Sequence, residues 1–179
     1  IRYTQHLALS NDKYDSTDVD IANYDSWFEK RWRISFSKSE ESDLLWSYTI
    51  YDDREGEATG RPDPDEIAVN PIDRDKKLTG GCSGMDNSDD RAPSEMHLGE
   101  KHGIEDISFT SCNQTISFDH LGRPINSSTD EMDSSYDLTL LSSRCEIELC
   151  SDECSLASSD EKISIIIEPN SYELSSIIP

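Results

Sequence analysis

Hydrophobic and polar positions alternate with a period of two along much of this chain, but its first eleven residues follow another rule. Ile1, Thr4, Leu7, Ala8 and Asn11 fall on one stripe at helical spacing, with Tyr3 beside them and Gln5 and Ser10 facing elsewhere. No cap or turn residue precedes Ile1. The stretch reads as the C-terminal half of a longer helix whose beginning lies outside this sequence. The other reading is an ordinary N-terminal helix on a small α+β domain. About three turns of helix are not stable alone, so the stripe must be covered by the strand-like remainder of the chain. The polar run from Asn11 to Asp25 reads as loop, after which Trp27 and Phe28 can fold back on the helix.

Period-two segments dominate the remainder. In 31–37, Trp32, Ile34 and Phe36 point one way, and Arg31, Arg33, Ser35 and Ser37 the other, which predicts a half-buried strand. Residues 44–51 predict a second, with Leu44, Trp46, Tyr48 and Ile50 on one face, and the two form an antiparallel hairpin. Residues 105–111 and 115–119 read as a strand and its return, with Ile107, Phe109, Ile116 and Phe118 inward. Gly122 and Pro124 then break the pattern, and Ile125 resumes an extended path. Residues 136–149 read as one long strand with a bulge at Ser142-Ser143. The isoleucine run of 162–168 predicts a last strand that is central and covered on both faces. The expected core is Trp32, Ile34, Phe36, Trp46, Phe109, Ile116, Phe118, Ile163, Ile165 and Ile167.

Two units emerge from this pattern. Residues 1–26 hold the helix and its loop, and 27–179 form an antiparallel β domain interrupted by a long irregular insertion at 52–103. The insertion is rich in proline and glycine, with one short apolar patch at Ile67, Ala68 and Val69, and reads as a variable surface. The fold class is α+β, an antiparallel sheet wrapping a helix.

Charge narrows the partners. Acidic residues outnumber basic ones 38 to 16, for a formal charge of −22. That argues against nucleic acid, which needs a basic footprint, and against anionic lipid. No run is long and apolar enough to be a transmembrane helix, so any membrane anchor must lie outside this sequence.

The five cysteines contain no C-x-x-C pair. An oxidising compartment fits them. Connectivity does not follow from sequence. The preferred pairs are Cys82–Cys112 across a long loop and Cys150–Cys154 closing a turn, with Cys145 left over; buried thiols are the alternative. Cys82 in its glycine turn lacks any visible base or oxyanion site and reads as structural. The four histidines are scattered and read as surface residues, and no cofactor is implied. Among several acidic clusters, Asp86, Asp89 and Asp90 are the best candidates for calcium, which favours oxygen ligands, although no EF-hand spacing is present. No motif supports catalysis, so the chain is expected not to be an enzyme.

Three stretches carry a resemblance. Ile116-Ser-Phe-Asp-His-Leu-Gly-Arg-Pro-Ile125 resembles the strand-turn signature of the minor pseudopilins and minor type IV pilins. Residues 162–172 are similar to that family's closing strand, with Asn170-Ser171-Tyr172 where Thr-Gly-Tyr is usual. Arg2 to Ala8 resembles the segment just after the membrane half of a prepilin-type helix. The H-type pseudopilin of type II secretion is the nearest type. The resemblance implies a pilin-like fold and a structural subunit of a secretion pseudopilus or type IV pilus. It implies other subunits of the fibre as partners, with secreted cargo a further candidate, and membrane contact only through a preceding hydrophobic helix. The domain would lie in the bacterial periplasm, anchored to the inner membrane, or in an extracellular fibre. Disulfides are expected there. Partner contacts are expected on the helix face at Ile1, Thr4 and Ala8 and on the long loops. A free-standing secreted adhesin or calcium-dependent binding module is the competing reading.

Overall fold

In the computed structural model, which describes residues 1–11, 31–52, 62–82, 84–86, 88–127 and 138–169, helix α1 spans Arg2–Ser10. The expected loop after Asn11, Trp27 and Phe28, and the Asn170-Ser171-Tyr172 end of the closing stretch lie outside the described residues. The helix stripe turns inward: Thr4 and Ala8 are buried, and Ile1, Tyr3 and Leu7 pack on the core at partial burial. Nine residues cannot hold a helix by propensity, so this contact with strands is what stabilises it. No long N-terminal helix is present among the described residues.

The chain is a mixed α/β structure with antiparallel sheets and few helices. Strands β1 (Trp32–Lys38) and β2 (Trp46–Asp52) form the expected hairpin, in register from Trp32 opposite Asp52 to Lys38 opposite Trp46. Its turn is a short 3-10 segment closed by a Ser39–Ser42 capping box. Asp43 and Leu44 then adopt left-handed conformations, which turn Leu44 out to solvent instead of onto the Trp46 face. Helix α2 is Leu98–His102. Strands β3 (Asp106–Thr110), β4 (Thr115–Phe118), β5 (Pro124–Ser127), β6 (Leu138–Leu140), β7 (Cys145–Cys150) and β8 (Lys162–Ile167) complete the order.

Among the described residues two sheets form where one was expected. The first has the order β2-β1-β4-β5-β6 and the second β3-β7-β8. Strands β3 and β4 are therefore not a hairpin: β3 pairs with β7, and β4 lies between β1 and β5. The expected long strand over 136–149 is two strands, one in each sheet. Among the described residues the isoleucine strand β8 is at an edge, with Ile163 63% exposed. Ile163 thus leaves the expected core, whereas Ile34, Phe36, Ile116, Phe118 and Ile167 occupy it.

The core gathers side chains from both sheets and α1. Phe109 on β3 bridges the sheets, its ring centroid 5.7 Å from that of Phe36 and 6.5 Å from that of Trp46. The opposite face of the first sheet is also buried. Arg33, expected to face solvent, is 2% exposed and lies between Tyr51 and Ser117, both fully buried.

The insertion is not a free surface. Its main chain lies along β2: Ile50 N–H donates to Leu78 O at 2.9 Å, Ala68 N–H to Ile50 O at 2.8 Å, and Gly80 N–H to Tyr48 O at 3.1 Å. Ile67, Ala68, Leu78, Met85 and Met96 are buried beneath it. Gly80 has no room for a side chain, since a Cβ there would sit 2.6 Å from Met96 O. His97, expected at the surface, is buried and bridges to Ser47.

Candidate functional site

The turn between β4 and β5 is built by one carboxylate. Asp119, 5% exposed, accepts from Leu121 N–H at 3.0 Å, Arg123 N–H at 2.8 Å and Arg123 Nε at 2.6 Å. Gly122 sits at φ +73°, in the left-handed region that favours glycine. Arg31 adds to the charge here: burial lowers its pKa foremost, and Arg33 and Arg123 lower it further, against the pull of Asp119.

Helix α1 docks on this turn. Gln5 Nε2 donates to Gly122 O at 2.8 Å. The Leu9 side chain lies so close that a Cβ on Gly122 would meet it at 3.1 Å. Gln5, read from the sequence as facing elsewhere, is therefore a docking residue, and Leu9 and Leu121 leave apolar surface beside the junction. The partner face expected at Ile1, Thr4 and Ala8 needs correction. Thr4 and Ala8 are buried against the chain's own core, and Ile1 is half-buried on it. The outward residues are Arg2, His6, Leu9 and Ser10.

A cleft of about 1000 Å³ opens between the two sheets and the insertion. Ile34, Phe36 and Ile50 from the first sheet and Leu149 and Ile165 from the second form its floor, and Asp73, Lys76, Asp90 and Glu95 lie on its rim. Burial raises the Tyr48 phenol above its usual pKa, and the Glu95 carboxylate adds to the shift. Size and apolar floor are those of a ligand-sized pocket. No sequence signal marks it, because residues distant along the chain form it.

Asp86, Asp89 and Asp90, the expected calcium ligands, do not form one cluster among the described residues. Asp86 accepts from Ser88 N–H at 2.8 Å and Ser88 Oγ at 2.6 Å, bonds that lower its pKa. Asp89 takes a two-pronged bond from Arg91, with Nε at 3.0 Å and the terminal nitrogen at 2.7 Å, which holds its carboxyl down at about 2. Asp90 offers its backbone carbonyl to Lys76 Nζ. Among the described residues no three acidic, histidine or cysteine side chains form a group that could hold a metal.

Two disulfides are present, Cys112–Cys145 and Cys150–Cys154. The expected Cys82–Cys112 pair does not form. Because β3 pairs with β7, Cys112 lies just past the end of β3, beside the start of β7 where Cys145 stands. Cys82 stays half-buried outside both bonds, in a turn closed by mutual backbone bonds with Met85.

No protein-family model, curated protein or solved structure matches the chain. Among the described residues no helix is long and apolar enough to cross a membrane.

Proposed function

We propose that the chain is a structural subunit of a bacterial pilin-type fibre, a minor pseudopilin of type II secretion or a minor type IV pilin, joining the fibre through its N-terminal helix. One observation supports this reading above the others. The turn that carries the family-like signature, Phe118 to Pro124, is the turn on which α1 docks, through Gln5 and Leu9. A subunit of this kind transmits load from helix to sheet, so a rigid junction is where its sequence should be constrained. The two disulfides agree with a domain outside the cytoplasm.

The encoding gene tests the proposal. Upstream of Ile1 it should specify a short basic leader ending in Gly, then a hydrophobic helix with a Glu near its start. A cleaved signal peptide joined directly to Ile1 refutes the fibre reading. That outcome favours the second reading, a secreted binding module, which the open cleft supports.

A further inference from the structure

Strand β8 is the outer strand of the second sheet, and among the described residues no strand lies beyond it. Native proteins blunt such edges with charge, proline or bulges, or cover them. This chain does so elsewhere, since the insertion's main chain lies along the edge of β2. Along β8, by contrast, Ile163 to Ile167 carry no charge, no proline and no bulge in their pairing with β7. Ile163 is 63% exposed on one face and Ile166 50% on the other, so apolar surface flanks the edge on both sides.

The order of charges selects the occupant. Lys162 and Glu168 stand at equal distances on either side of Ile165. We infer that β8 pairs antiparallel with β8 of a second copy about a twofold axis at Ile165. Lys162 then lies opposite Glu168 of the second copy, and the same contact recurs by symmetry. Ile163 lies opposite Ile167, and Ser164 opposite Ile166. Directly opposed residues share a face, so this register keeps the inner apolar row continuous across the dimer. Sliding by two residues either way puts Lys162 against Ile166 or Glu168 against Ser164 and removes both ion pairs. Within the chain Glu168 makes an exposed contact with Arg144 at 2.8 Å, which contributes little and exchanges readily, and Lys162 a long, partly buried one with Glu148 at 3.6 Å. The result is a six-stranded sheet. A single strand pair falls below the ~1,200–2,000 Å² of stable interfaces, so the dimer is weak and forms at high local concentration.

Sedimentation equilibrium on the whole chain, across the micromolar to millimolar range, tests this. The wild type should show a monomer–dimer equilibrium. Lys162→Glu and Glu168→Lys should each weaken it about tenfold, because each turns two attractions into two repulsions. The doubly swapped variant should recover to within about threefold of wild type. Circular dichroism confirms that each variant is folded. A wild-type chain that stays monomeric throughout the range, a double variant no better than the singles, or a dimer indifferent to these substitutions overturns the inference.

Discussion

Gly122 joins two demands in one residue: a positive φ and contact with Leu9. Gly122→Ala should destabilise the fold by about 1–2 kcal/mol in urea unfolding. The double variant with Leu9→Ala should recover only the steric part and leave the backbone part, giving a measurable coupling energy. Asp89 carries a pH prediction. Its carboxyl is held at about 2, against 3.8 ordinarily, first by the Arg91 side-chain bond. Because the folded value is the lower one, the contribution of this bond is complete above the unfolded value and fades as pH falls through about 2. An NMR titration of the Asp89 carboxyl should show that low midpoint, and Arg91→Ala should move it upward. None of this was legible in the acidic cluster itself. Composition marks carboxylates as a group, but a turn assigns each one its own donor.

At the scale of elements, α1 is stabilised by its inward face. Ala8→Glu, which buries a charge, should cost about 3 kcal/mol or more, whereas His6→Glu on the exposed face should change stability by less than about 0.5 kcal/mol; thermal unfolding distinguishes the two. The helix and the β1–β2 hairpin were legible because their signals are local: a helical stripe, and Trp32, Ile34 and Phe36 alternating with polar neighbours. The sheet assignments of β3, β4, β6 and β7 were not legible. The turn after β3 marks a break at Ser111, which adopts a positive φ, but turn chemistry is blind to which strand comes next alongside. An isoleucine run likewise reports β propensity and not position, so β8 reads as central although it lies at an edge. Cys112 inherits that error, since its partner depends on the pairing of β3 with β7.

For the whole molecule, the insertion changes the picture most. Its composition is that of a loop, but the fold uses it as the cover of β2 and one wall of the cleft. Leu78→Ala should therefore cost about 2–5 kcal/mol, as in any core, and Ile72→Ala, at 93% exposure, almost nothing. Equal small effects in denaturant unfolding would return the segment to the status of a loop. Beside the buried side chains and the Thr49–Thr79 hydroxyl bond, the grip on β2 is made by peptide groups, which every residue but proline possesses in full. Side chains pointing away from that strand can accordingly drift through evolution at little cost, whereas a deletion that shifts the peptide register cannot be absorbed. Surface novelty in this molecule should accumulate by substitution rather than by change of length.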